Sequence, residues 1–531
     1  MVKNTSIIDL VKENKLIKKP IFSIIIICLV TIIIRFNYFV PEVPISEDAL
    51  NYFLYASDIS ILNNLPSTWT PLNNGWPIFV SLFFSVINFE ETIQYMQLQV
   101  LLSIVISVIT IIPVYFLCRI FFSSKLSIIG ASLFVLEPRI IQNSILGITD
   151  SLYIFLGISA IVIILKYNTK FLYISFILAG LSTIVRSEGL FVFAIILVGV
   201  IIKNRKDKRV LLKIIIGITI FFLVISPVSV YKMDTIGSDG IISRLLNSGQ
   251  NYIEKTTMEN DQNQSLIITG LFNFPMYLGW SLIPMFICFV PIGIFFLFKK
   301  MDYRKIMILM TLVIMSIPAF YAYSIPLKDT RYLYFLYPIF CVISIYPIEK
   351  IMNKIDRKNI MIFLIIVSIT VVSIISLEVK FMDEKNEIES LSIANYLVKT
   401  EKVINDFKPE SKYLEVAEIP NKWPLTESKN YGKTYEKIPI RTINPLNVTV
   451  IEIHETENIE KYILNSKNKL THIIINENSP EFLKKIFYDE EKYPYLIKKF
   501  DSEDLKNNLK IKIFEIDYKK FELNNNLNIN K

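Results

Sequence analysis

The chain has 531 residues, 52% of them hydrophobic, with a mean hydropathy of +0.46. That is too apolar for an ordinary water-soluble protein, because several runs exceed the roughly 18 residues that mark a membrane-spanning helix. The net charge of +8 invites a nucleic-acid reading, but no RNA- or DNA-binding motif is present, and basic residues in a membrane protein mark cytoplasmic loops.

The N-terminal stretch MVKNTSIIDLVKENKLIKKP is basic. The apolar run behind it is longer than a signal-peptide core and lacks an A-x-A cleavage pattern. It reads as an uncleaved first span with the N-terminus in the cytoplasm. Spanning helices follow at about 20–40, 93–117, 126–142, 149–166, 171–186, 188–203, 211–231, 274–298, 304–324, 331–348 and 359–379. The short run Gly75 to Asn88 reads as a re-entrant or juxtamembrane helix within a first outer loop, 41–92. With that run excluded, every cytoplasmic end is basic, as the positive-inside rule requires. The expected architecture is mainly α: a polytopic transmembrane helical bundle of about eleven spans over 1–380, then an extracytoplasmic α/β domain over 381–531.

That second part is polar and lysine-rich. Strands are expected at YLEVAEI, NVTVIEI, LTHIIIN and LKIKIFEI, and helices at ESLSIANYLVKTEKVINDF, ENIEKYILN and SPEFLKKIFYDEEKY, with a frayed tail at FELNNNLNINK. Its one glycine, Gly432, excludes a glycine-rich phosphate loop. The four cysteines, Cys28, Cys118, Cys288 and Cys341, all belong to apolar runs, and both histidines, His454 and His472, to the polar part. A disulfide framework in the outer domain and a membrane-embedded histidine mechanism are thereby excluded.

Charged groups at membrane depth are costly and mark functional sites or ion pairs. Glu47 and Asp48 begin a helix after Ser46, where they serve equally as ordinary N-terminal carboxylates. Helical spacing puts Asp48, Tyr52 and Tyr55 or Ala56 on one face, and Leu50, Phe53 and Leu54 toward lipid. Asp150 opens a span in ILGITDSLYIF, as a cap or as a pocket carboxylate. Arg186 and Glu188 sit between two spans, as a local ion pair or with Arg186 turned to an anionic ligand. Lys328 and Arg331 oppose the positive-inside pattern, and an arginine fork at the outer surface suits a phosphate. Lys232, Arg244 and Arg139 are weaker candidates. Trp69, Trp76, Tyr277 and Trp280 belong to an interfacial belt or stack on a sugar.

Six motifs occur in the order found in one family. They are SEDALNYFLYA, TPLNNGWPIFVSLFF, PVYFLCRIFFSSK, LEPRIIQNSILGITDSLY, LAGLSTIVRSEGLFVF and DTRYLYFLYPIF. Together they resemble the GT-C superfamily of polytopic glycosyltransferases, near the protein O-mannosyltransferase and aminoarabinose transferase-like (family 39-like) group, over roughly residues 20 to 350. The resemblance implies transfer of a sugar from a polyprenyl (dolichyl-type) phosphate donor to a lipid, glycan or protein acceptor on the outer membrane face. It implies Asp48 as general base with Glu47 beside it, Asp150 as the second acidic position and Arg331 near the donor phosphate; the reading of the charges adds Lys328 and Arg186 to the phosphate and gives Asp150 an acceptor or metal role. Glu188, Tyr52 and Tyr55 support them. A divalent ion, Mg or Mn, on Asp48 and Asp150 is left open. Two features depart from the family: there is no W-W-D motif, and the first-loop acids run Glu47-Asp48 where many relatives have aspartate then glutamate. A transporter or flippase of lipid-linked sugar, or a non-catalytic assembly subunit, is the alternative class.

Overall fold

A computed structural model describes residues 18–39, 41, 45, 47–66, 70–89, 92–166, 171–244, 246–250, 266–299, 301–325, 327, 329–380, 402–405, 448–451, 459–465, 470–476, 479, 481–501 and 510–529. The chain is mainly helical and divides into two compact units. The first comprises Met1–Val40, Asn51–Ile87 and Met96–Glu378; the second comprises Pro41–Leu50, Asn88–Tyr95 and Val379–Lys531.

The helices of the apolar part are α1 (Lys18–Tyr38), α2 (Glu47–Leu62), α3 (Gly75–Phe84), α4 (Thr92–Ile109), α5 (Ile111–Arg119), α6 (Ser124–Val135), α7 (Pro138–Ile145) and α8 (Asp150–Lys166). After them come α9 (Leu172–Val185), α10 (Gly189–Asn204), α11 (Val210–Ile236), α12 (Leu266–Leu282), α13 (Phe289–Leu297), α14 (Tyr303–Ser324), a 3-10 segment (Thr330–Leu336), α15 (Tyr337–Met352) and α16 (Lys358–Lys380). Among the described residues, six stretches are long and apolar enough to cross a membrane: Pro20–Tyr38, Ile93–Arg119, Val210–Ile236, Tyr303–Ser324, Thr330–Met352 and Lys358–Val379.

An all-apolar helix belongs in a core or in lipid, and the helices sort accordingly. α15 and α8 are buried along most of their length, while α11 and α16 leave large hydrophobic side chains such as Leu223, Phe363 and Val379 exposed. α8 packs on α9 and α10, and α15 packs on α6 and α13. Inside α1, Arg35 is wholly buried, and its guanidinium donates to the Ser144 and Ser107 hydroxyls and to the Val135 and Thr31 carbonyls.

Two expected spans are interrupted. The 126–142 run breaks at Glu137, whose backbone is extended (φ −63°, ψ 124°) ahead of Pro138, the first residue of α7. A residue before proline is driven out of the helical region, which ends α6 there. The 274–298 run starts earlier, at Leu266, and breaks between Leu282 and Phe289 around Pro284, whose ring cannot continue a helix. The helix from Glu47 also departs from expectation: Leu50, Phe53 and Leu54 are buried instead of facing lipid. Phe53 packs edge-on against Phe84 of α3, so the segment contributes to a core.

The second unit carries a five-stranded sheet in the order β2-β1-β3-β5-β4. Its strands are β1 (Lys402–Asn405), β2 (Val448–Ile451), β3 (His472–Asn476), β4 (Leu496–Asp501) and β5 (Ile511–Ile516). β1 runs parallel to β2 and β3; β5 is antiparallel to β3 and β4. Helices α17 (Ile459–Asn465), α18 (Glu481–Tyr488) and α19 (Tyr518–Ile529) accompany it. Ile463, Ile473, Ile475, Ile486 and Phe514 form its core. Residues 402–405, expected to close a helix, form a strand instead, and the tail expected to fray carries α19. The expected strand YLEVAEI lies outside the described residues.

Candidate functional site

The site is assembled at one end of three helices. Gly147 takes a left-handed conformation (φ 70°), which glycine adopts without penalty. Its carbonyl accepts from Trp76 Nε1 at 2.9 Å and from Gln99 Nε2 at 2.8 Å. This fixed turn leads directly into α8, whose first residue is Asp150. Trp76 is therefore a buried anchor of that turn and contributes neither to a belt nor to a sugar platform.

Arg186 ends α9 in extended conformation, and Gly189 starts α10 three residues later. A Cβ on Gly189 would strike the backbone of Thr183, so the hairpin closes only with glycine there. From this turn Arg186 makes two ion pairs. Its Nη1 donates to Asp150 Oδ1 at 2.7 Å and its Nη2 to Glu188 Oε1 at 2.8 Å. Asp150 is 2% exposed, and its other oxygen, Oδ2, has no hydrogen-bond partner among the described residues. The Asp150 carboxylate is thus half occupied.

Arg331 enters from the 3-10 segment. Asp329 caps that segment: its carboxylate accepts from the Arg331 backbone at 2.8 Å and from Arg331 Nε at 2.5 Å. Tyr323 donates to the Asp329 carbonyl and holds this corner in place. Asp150, Arg186, Glu188 and Arg331 line one small cleft, together with Tyr153 and Tyr332.

Of the residues singled out in the sequence, four therefore come together in this cleft. Tyr52 and Tyr55 are buried nearby on α2, accepting from Asn73 and Asn74 respectively, and Tyr52 is within electrostatic reach of Arg186. Asp48 is exposed on α2, and Glu47 is its first residue; both fall in the second unit and the cleft in the first. Lys328 lies outside the described residues, as do Ser46 and Trp69. Tyr153 and Tyr332 were not expected. Tyr153 is one helical turn beyond Asp150, a spacing that could have nominated it; its hydroxyl has no partner among the described residues.

The lesser candidates divide. Arg139 bonds the Trp280 and Ile283 carbonyls and pairs with Glu137, which makes it a structural tie. Lys232 is buried, with its ammonium on the Leu72 carbonyl at 2.9 Å. Arg244 interacts electrostatically with Glu188 and Lys232, and its buried Nη1 has no hydrogen-bond partner among the described residues.

The donor set does not make a metal centre. Among the described residues no group of three or more His, Cys, Asp or Glu stands close enough to hold an ion. Asp150 already has one oxygen on Arg186, and Arg331 acts on it electrostatically, so cations surround the carboxylate a divalent ion would need.

Comparison with known proteins agrees with this architecture. The family described as dolichyl-phosphate-mannose-protein mannosyltransferase matches residues 76–231. The Archaeoglobus fulgidus oligosaccharyltransferase, solved with Zn and sulfate, superposes with a TM-score of 0.51 at 11% identity, covering 92% of this chain and 72% of that one. The same enzyme tethered to an acceptor peptide containing the NVT sequon gives 0.50 at 12%, covering 86% and 69%. ArnT from Cupriavidus metallidurans, bound to undecaprenyl phosphate, gives 0.51 at 8%, covering 92% and 97%. No curated protein matches the sequence significantly. The resemblance to GT-C glycosyltransferases read from the sequence stands in the fold. The chain is an integral membrane protein with that fold.

Proposed function

We propose that the protein is a glycosyltransferase that moves a sugar from a polyprenyl-phosphate donor to a lipid, glycan or protein acceptor on the outer face of the membrane. The observation that carries this reading is the cleft that gathers Asp150, Arg186, Glu188 and Arg331 on a GT-C fold. The undecaprenyl phosphate bound to the ArnT relative supports the donor class. In this reading residues 381–531 form a soluble domain on the outer side and the N-terminus is cytoplasmic.

The leaving group is a phosphate, so cations must meet negative charge as the anomeric bond breaks. Arg331 is the cleft arginine assigned to that phosphate, on the likeness of DTRYLYFLYPIF to the family's late span and on its place in the cleft lining. Both Nη atoms of Arg186 are engaged by carboxylates. Arg186 then holds the acids in position; Arg244, whose Nη1 has no hydrogen-bond partner among the described residues, and Lys328 are further candidates for the phosphate. Asp150 Oδ2 takes a hydroxyl of the acceptor or of the sugar. Asp48 is the general base, on the likeness of SEDALNYFLYA to the family's acidic motif and on its place one helical turn before Tyr52. Glu47 stands beside it. One base and one displacement invert the anomeric carbon.

The test is transfer of labelled sugar from a panel of polyprenyl phosphates by purified protein. Transfer from at least one donor with inversion is expected. Protein that binds such donors and moves them across a bilayer without transferring the sugar would be a transporter, and the reading would fail.

A further inference from the structure

We propose that the bundle carries, at the end opposite the cleft, a site for the headgroup of an anionic phospholipid, formed by Arg119, Lys166, Lys203 and Arg304. α8 runs from Asp150 in the cleft to Lys166 and α10 from Gly189 to Asn204, so the two ends are separated by about 25 Å at 1.5 Å per residue. The proposal is independent of the transferase reading.

Four helix ends meet here, and each contributes a cation. Arg119 closes α5, and its Nη1 donates to the Phe122 carbonyl at 2.8 Å. Lys166 closes α8 and lies 3.9 Å from the centre of the Phe116 ring. Lys203, near the end of α10, donates to the Ile164 carbonyl at 2.6 Å. Arg304, in the first turn of α14, donates to the Ile120 carbonyl at 3.2 Å and to Tyr303 Oη at 3.2 Å. Arg119 acts electrostatically on Lys166, and Arg304 on Lys203. Like charges therefore face one another in pairs. Helix C-termini offset part of this, since each is equivalent to about half a negative charge. The described acids at this end include Asp207, Asp302 and Glu349, the last acting electrostatically on Tyr346, whose ring packs on Phe122. Asp207 is tied to Lys213, and Asp302 caps α14. Among the described residues the four cations outnumber these acids, and a phosphate is the anion whose oxygens suit several such donors.

The source of that phosphate follows from the helix on which the cluster ends. Val105, Ile109 and Ile112 are all exposed, and with Phe116 they recur every three or four residues along the continuous span Ile93–Arg119. They form one apolar stripe that finishes at Phe116 beneath Lys166, one turn before Arg119. An acyl chain laid on the stripe brings its phosphate to the cations, whereas a free phosphate gains nothing from it.

The test compares retention of phosphatidylglycerol, phosphatidylcholine and inorganic phosphate by the full-length protein in detergent, using native mass spectrometry. The wild-type protein is expected to retain phosphatidylglycerol over phosphatidylcholine, with inorganic phosphate not competing. Each membrane-surface cation contributes roughly a fivefold preference, so Lys166→Gln/Arg119→Gln should lower it by roughly 30-fold. The control Lys485→Gln/Lys519→Gln, which removes two exposed cations of the second unit, should leave it. Equal retention of the two lipids by the wild-type protein overturns the proposal, even if the variants fail to fold. So does an equal loss in the control, or competition by inorganic phosphate.

Discussion

Arg186 Nη1 donates to Asp150 Oδ1 at 2.7 Å and so ties the end of α9 to the start of α8. The same guanidinium holds the partly buried Glu188, so two carboxylates depend on one cation. Removing one partner of a buried ion pair costs about 3–5 kcal/mol, because the remaining charge is stranded. Arg186→Gln should therefore lower the thermal midpoint of the detergent-solubilised protein strongly. Adding Asp150→Asn should return part of the loss. Arg186→Lys should rescue little, since a single ammonium cannot serve both acids as a fork does. Additive losses in the double variant would show that the pair is not coupled.

A second tie has the same logic at a different place. Arg139 bonds the carbonyls of Trp280 and Ile283 at the end of α12 and pairs with the fully buried Glu137. Arg139→Gln should cost about 3–5 kcal/mol, and Glu137→Gln in that background should recover part of it. Unfolding midpoints of the four proteins close the cycle.

Close helix contact makes a third prediction. A Cβ on Gly293 of α13 would collide with the backbone carbonyl of Ile343 in α15, whereas one on Gly279 of α12 meets nothing within 4 Å. Gly293→Ala should destabilise, because backbone cannot yield as a side-chain tip can. Gly279→Ala should be neutral or stabilise by up to about 1 kcal/mol from helix propensity. The comparison of the two midpoints is the measurement.

The ion cluster around Lys512 of β5 predicts a pH effect. Burial raises the Glu490 carboxyl, but hydrogen bonds and charge from Lys512 and Lys498 overcome it and hold the group below its ordinary range. A depressed carboxyl stabilises the folded state above its unfolded value, about 4.3, and the benefit disappears as pH falls through the folded value. Hydrogen-exchange protection of β4 and β5, corrected for intrinsic rates, should be flat from neutral pH to about 5 and decline below about 4. Glu490→Gln should flatten that decline.

The charged positions were legible because charge at membrane depth is rare and must be accounted for. Asp150, Arg186, Glu188 and Arg331 stood out on that ground alone. Their pairing was not legible, since nothing local says that Arg186 divides itself between two acids. Trp76 was misread because its partner, Gly147, lies 71 residues away, and an aromatic near an interface looks the same whether it anchors a turn or meets lipid. The break at Glu137 was available from Pro138, but a continuous apolar run concealed it. Strand β1 ends a stretch whose spacing fits a helix, and only pairing with β2 and β3 makes it a strand.

The central claim is tested most directly by Asp48→Asn in a single-turnover transfer assay, with donor binding measured alongside. A general base contributes about 10²- to 10⁴-fold, so the variant should bind the polyprenyl-phosphate sugar as the wild-type protein does and transfer it slower by that factor. Transfer at the wild-type rate would contradict the assignment of Asp48 as the base.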